Sequence, residues 1–202
     1  MSDADRHKWN MRYAGGSHSS ATSPCEVLKQ HIGLAPAGTA LDLACGAGRH
    51  AIYLARRGYR VDAVDISSVA IQLGRELAQA ERLSIQWHST DLLDDPELPG
   101  TGYSLILMCH FVAPDLLAHM PQLLRPGGVL MVEQHMRWAQ PVAGGLAGPG
   151  SMRFRVAPGS LARLLEQTRP RLDILVEEEG LVDRDDGGQA ALSMLVARRP
   201  AQ

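Results

Sequence analysis

A chain of 202 residues, 45% of them hydrophobic and 21% charged, has the size of one globular domain with a core of its own. Its formal charge of -2 and pI near 6.4 leave no basic excess for nucleic acid or an anionic membrane surface. The longest apolar runs fall far short of the roughly 20 residues that a membrane-spanning helix needs, and the opening MSDADRHKWN lacks the apolar segment of a secretory signal.

In chain order, apolar strand-like runs alternate with helix-period segments, the pattern of an α/β protein with a largely parallel sheet covered on both faces. KWNMRY, residues 8–13, spaces Trp9 and Tyr13 at i, i+4, which puts both rings on one helix face. A first strand over residues 39–44 closes at Gly46 and Gly48, and a helix over 49–57 follows with Ile52, Leu54 and Ala55 at helical spacing and Gly58 as its stop. RVDAVD, residues 60–65, reads as the second strand, and Ser67 or Ser68 caps a long helix to about residue 82. A short strand over 84–88 ends near Asp91, and the turn-rich DDPELPGTG leads into 103–109, an apolar run typical of a fully buried strand. A helix over 115–124, a sharp turn at RPGG (125–128) and a strand over 129–133 come next. QPVAGGLAGPGS, residues 140–151, has no periodicity and reads as a mobile loop or lid. A helix over 160–168 and strands over 172–177 and 190–197, joined by DRDDGG, end the chain as an antiparallel pair.

The chemistry concentrates in LDLACGAG, residues 41–48. A small-residue turn between strand and helix exposes backbone N–H groups to an anion. Residues 46–51, GAGRHA, satisfy the G-x-G-x-x-A spacing of dinucleotide sites, with Asp65 near the ribose position. Asp42 opposes that reading, because a carboxylate directly before the turn would repel a pyrophosphate. It suits a ligand that carries an ammonium and a carboxylate instead. S-adenosylmethionine is such a ligand: its carboxylate accepts from N–H groups at the turn, its ammonium approaches Asp42, and its ribose hydroxyls donate to Asp65.

LDLACGAGRHAIYLARRGYRVDAVDIS, with KWNMRY before it, STDLL after the third strand and LLRPGGVLMV before and through the fifth, resembles the motif series of class I S-adenosylmethionine-dependent methyltransferases, in the small bacterial subgroup that includes tellurite-resistance-type enzymes. The resemblance covers residues 8–133. It implies a Rossmann-like three-layer sandwich with a mostly parallel seven-stranded sheet and an antiparallel last strand. It also implies one methyltransferase domain, with an N-terminal cap (1–38), a cofactor-binding half (39–135) and a substrate-side half (136–202). Residue by residue, it assigns Asp42, Ala44, Gly46 and Gly48 to the methionine portion of the cofactor, Ala44 standing where a glycine is more usual. Asp65 and Ile66 fall to the ribose and adenine, Asp91 and Leu92 to the adenine amino group, and Cys109 and His110 to the neighbourhood of the sulfonium. Arg12 matches an arginine that lies over the cofactor; Trp9 and Tyr13 belong either to that cover or to a core staple.

The three cysteines form no C-x-x-C pair and read as reduced thiols of a cytoplasmic protein, Cys45 and Cys109 as small packing residues. Eight histidines include no H-x-x-x-H or H-x-H pair, so no metal site is expected. His110 and His135 are the candidate catalytic residues, able to take a proton from an amine or hydroxyl acceptor; an acceptor that arrives as an anion needs positioning alone. Arg153 and Arg155 alternate in MRFRV, either as an anion site or as exposed strand residues. Residues 109–112, CHFV, lack the Asn/Asp-Pro-Pro-aromatic sequence of methyltransferases that act on nucleic-acid bases. The expected acceptor is therefore a small molecule, a thiol, chalcogen oxyanion, amine or carboxylate, with no nucleic-acid or membrane partner. Two rival readings remain: a non-catalytic module that binds S-adenosylmethionine, and an NAD-dependent oxidoreductase, which Asp42 and the lack of a separate substrate domain disfavour.

Overall fold

The computed structural model describes residues 3–16, 23–94, 96–184 and 188–201; the tip of the last hairpin, 185–187, lies outside them. Two helices, α1 (Asp3–Ala14) and α2 (Glu26–His31), precede strand β1 (Thr39–Leu43). Then follow α3 (Arg49–Arg56), β2 (Arg60–Asp65), α4 (Ser68–Ala80), β3 (Ile85–Ser89), β4 (Tyr103–Cys109), α5 (Pro114–Leu123), β5 (Leu124–His135), α6 (Ser160–Glu166), β6 (Asp173–Asp183) and β7 (Gln189–Arg198). The seven strands lie in the order β3-β2-β1-β4-β5-β7-β6, with β7 antiparallel to both of its neighbours and the other pairs parallel. No helix among the described residues is long and apolar enough to cross a membrane.

Strand side chains alternate between the two faces, and the core divides accordingly. Ala40, Leu105, Leu107, Val129 and Met131 pack with α2, α3 and α4, whereas Leu41, Leu43, Ile106, Met108, Leu130 and Val132 pack with α5 and α6. The same alternation sends Asp42, Cys109, Glu133 and His135 to the first of these faces, at the carboxyl ends of adjacent strands.

Local chemistry explains the starts of α4 and α3. Ser67 caps α4 by accepting from the Ala70 N–H at 3.1 Å. Gly48, at φ +82, takes the left-handed conformation that opens α3, and a side chain there would strike the Trp87 ring. Helix α1 buries none of its residues; Asn10 holds it to α4 by accepting from the Ser67 hydroxyl at 2.7 Å.

Two expectations need correction. The RPGG segment falls within the bounds of β5 yet breaks its ladder with β4, which passes from Leu124–Tyr103 to Val129–Leu105 with Gly127 at φ +78; Gly127 donates to the Arg199 carbonyl and Arg199 donates to that of Gly128, both at 2.9 Å. The 140–151 segment, expected as a mobile loop or lid, makes hydrogen bonds to the rest of the chain. Ala147 donates to the Gln189 carbonyl, and the buried Arg155 guanidinium donates to the carbonyls of Pro149, Ala147 and Met136 at 3.0–3.1 Å. Arg155 is thus a strut for this loop, not an anion hook.

Candidate active site

The turn after β1 takes its shape from three left-handed residues, Ala44 (φ +55), Gly46 (φ +56) and Gly48 (φ +82). Asp65, at the end of the neighbouring β2, braces it: one carboxylate oxygen accepts from the Gly46 N–H and the other from the Ser67 N–H, each at 2.8 Å. Burial pushes its pKa above the ordinary carboxylate value despite the two N–H groups. Each oxygen retains a further lone pair.

Asp42 is in the opposite situation. It is 1% exposed, neither of its oxygens accepts a hydrogen bond, and the nearest basic group is His50 Nδ1 at 3.7 Å. Against burial, Cys25 and Asp42 raise the His50 pKa to about 9, so Asp42 has a cationic neighbour within the chain, while both of its oxygens remain open to a further donor. The ammonium of S-adenosylmethionine suits such a carboxylate; in the left-handed turn beside it, the N–H groups of Cys45, Gly46 and Gly48 donate to Val64, Asp65 and Cys45 within the chain.

The remaining cofactor candidates are distributed around this turn. The Tyr13 hydroxyl reaches over Gly46, where an added Cβ would collide with it, and burial with the nearby Asp65 raises its pKa. Trp9 and Tyr13 do share a face of α1, with ring centroids 6.4 Å apart, and the Arg12 guanidinium stacks over Trp9 at 5.3 Å. Ile66 and Leu92 are buried, Leu92 within the cluster that includes Val64 and Leu43. The Asp91 carboxylate accepts from the Leu93 N–H at 2.9 Å.

A second group of polar residues gathers at the ends of β4 and β5. His110, in a left-handed conformation at φ +55, donates its backbone N–H to the Glu133 carbonyl. Its ring stacks on His135 with centroids 4.4 Å apart, and its Nε2 lies 3.3 Å from Glu133 Oε1. The other Glu133 oxygen accepts from the Val27 N–H at 2.9 Å. Burial and the neighbouring Cys25 push the Glu133 pKa up to about 7. Burial and the charges of Arg155, Arg184 and Arg49 bring His135 down to about 4, and burial with the adjacent His135 lowers His110 as well. At neutral pH both imidazoles are uncharged. Gly148 of the 140–151 loop approaches the His135 ring so closely that a Cβ would overlap it.

Four participants are not among the sequence candidates. Glu133 was legible as a neighbour of His135, because the alternation in VEQH puts both on one face. Asn10 carried no signal of its own. Cys25 and His50 did not either, yet both meet Cys109 on the α2–α3 side of the sheet: the Cys109 thiol donates to Cys25 Sγ at 2.8 Å across 84 residues of sequence. Cys109 is therefore not an isolated packing residue.

Comparison with known proteins agrees with this geometry. Residues 40–128 match the family described as methyltransferase domain. The chain is 29% identical over 129 residues to hemagglutinin 1 of Eikenella corrodens, covering 61% of this chain and 43% of that protein. It is 28% identical over 169 residues to carboxy-S-adenosyl-L-methionine synthase of Pseudomonas putida, covering 76% of this chain and 68% of that one. It thus spans less than half of the first relative and about two thirds of the second. Among solved structures, TehB from Haemophilus influenzae superposes with a TM-score of 0.72 at 19% identity, over 93% of this chain and 66% of the other. The domain match over residues 40–128 and the shared fold support a class I S-adenosylmethionine-dependent methyltransferase.

Proposed function

We propose that this chain methylates a small protic acceptor, a thiol or an amine, at the carboxyl ends of β4 and β5, within one domain whose 1–38 segment caps a cofactor-binding half (39–135) and whose 136–202 segment forms the substrate side. The observation that carries the reading is the His110–Glu133–His135 cluster, one strand away from a carboxylate that lacks a donor. S-adenosylmethionine, when bound, supplies a methyl group made electrophilic by its sulfonium. Asp42 and the backbone of Ala44, Gly46 and Gly48 hold its amino-acid end. Asp65 and Ile66 serve the ribose and adenine, Asp91 and Leu92 the adenine edge, and Trp9, Arg12 and Tyr13 on α1 form the cover.

Cys109 and His110 border the acceptor's space. The two neutral imidazoles accept hydrogen bonds from an S–H or N–H, and neither brings a positive charge to oppose a cationic cofactor. His135 is a weak proton acceptor, so the proton that a thiol or amine must lose passes through His110 to Glu133, whose pKa lies near neutrality. A chalcogen oxyanion or carboxylate would need no such group, and the 140–151 loop pressed on His135 limits access of water.

Titration calorimetry should give heat with adenosyl-homocysteine and none with NAD; the reverse would end this reading in favour of an oxidoreductase. A methyl-donor turnover screen over thiols, amines, chalcogen oxyanions and carboxylates should then give turnover with one of the first two. Glu133→Gln is expected to lower kcat by about 10²- to 10⁴-fold while leaving adenosyl-homocysteine affinity unchanged. Turnover of an oxyanion that is indifferent to Glu133→Gln would replace the acceptor class, and silence across the screen would favour a binding module.

A further inference from the structure

Behind the turn, on the face of the sheet covered by α2 and α3, three metal-ligating side chains from distant parts of the chain converge. Cys25 begins α2, His50 lies in the first turn of α3 and Cys109 ends β4, and each is no more than 7% exposed. Their two sulfurs and one imidazole nitrogen lie within 4.8 Å of one another. We propose that Cys25, Cys109 and His50 form a binding site for a thiophilic divalent cation of the zinc class, adjoining the cofactor pocket at Asp42 and Cys109.

Three considerations point this way. The donor set, two thiols and an imidazole, is the one that zinc and its softer congeners select over magnesium or calcium. His50 Nε2 is buried with no hydrogen-bond partner, a polar atom that the fold itself leaves unsatisfied. The Asp42 carboxylate, 3.7 Å from His50 Nδ1, stands where an outer carboxylate orients a ligating imidazole.

The geometry needs little adjustment. With metal–sulfur bonds of about 2.3 Å, tetrahedral coordination separates two sulfurs by roughly 3.8 Å, so a pair now 2.8 Å apart opens by about 1 Å. Side-chain rotation at Cys25 and Cys109 can provide this. Binding forms two metal–thiolate bonds and one metal–imidazole bond, and the displaced thiol protons leave to solvent. Three protein ligands leave a fourth position for water or a carboxylate.

The test uses the full chain, reduced and stripped of metal, titrated with Co2+ without oxygen. The expected result is one equivalent bound, with a thiolate-to-cobalt charge-transfer band and the visible bands of tetrahedral cobalt, both abolished by one equivalent of Zn2+. Cys25→Ser and Cys109→Ser should each weaken cobalt binding at least tenfold, and Cys45→Ala should leave the spectrum as it is. Native mass spectrometry of the unaltered chain with Zn2+ guards against variants that fail to fold, and should add the mass of one zinc less the two displaced protons. A chain lighter by two hydrogens that takes up no metal would mean that Cys25 and Cys109 pair as a disulfide, and would overturn the proposal. So would three titratable thiols with no charge-transfer band. Neither result bears on adenosyl-homocysteine binding, which is measured separately.

Discussion

Ala44 holds a backbone conformation, φ +55, that costs an L-residue about 1–2 kcal/mol relative to its right-handed counterpart. Glycine avoids that strain but loses more chain entropy on folding, about 0.5–1 kcal/mol. Ala44→Gly should therefore raise stability by up to about 1.5 kcal/mol in a denaturant titration; a loss would mean that the turn is shaped otherwise. His135 affords a test of the buried imidazoles. Its folded pKa of about 4 lies below the ordinary 6.5, so between these values the unfolded chain holds a proton that the folded chain does not. The histidine's contribution is present above pH 6.5 and is lost as pH falls toward 4. Glu133, raised to about 7, works in the other direction, since its contribution is present at low pH and fades as pH rises through 7. Comparison with His135→Phe, which preserves Glu133, isolates the histidine. The stability of the unaltered chain relative to this variant should fall as pH drops from 6.5 to 4 in parallel denaturation curves.

At the scale of elements, α1 stands apart because it has no buried residue and depends on a few polar and aromatic contacts. Asn10 reaches the start of α4, and Tyr13 reaches Gly46. A segment held so lightly opens at little cost without unfolding the rest, which suits a cover that must admit the cofactor. Asn10→Ala removes a hydrogen bond worth about 1 kcal/mol. It should speed amide exchange throughout α1 and weaken adenosyl-homocysteine binding by about fivefold, with the main unfolding midpoint unmoved. If exchange in α1 is unchanged, Tyr13 alone carries the attachment. The 140–151 loop differs because Arg155 ties it to three carbonyls.

For the molecule as a whole, what was legible in the sequence follows from how local the signals were. β2 and β4 occur at the bounds their residues announce, since an apolar run ended by aspartate, or by the Cys-His step, needs no distant partner to be read. The turn residues 42–48 were legible for the same reason. α2 was not, because six residues are too few to show a period and its two buried side chains, Val27 and Leu28, are adjacent. The first residues of β5 were not legible because Pro-Gly-Gly signals a break, which the ladder with β4 does show, while the contact that carries the strand back to Leu124 comes from Arg199. The meeting of Cys25, His50 and Cys109 depends wholly on tertiary packing. The sheet's far border has a consequence of its own. β6 has its flank open and carries Ile174, Leu175 and Leu181 exposed beside three consecutive glutamates, of which Glu179 is engaged with Ser193 and Gly159. Glu177 and Glu178 are left as a charged fence along a rim that would otherwise invite a second copy to add its own strand. Replacing both with threonine should make sedimentation profiles concentration-dependent while the monomer's circular dichroism stays the same, which would trace the protection of this rim to two side chains outside the candidate site.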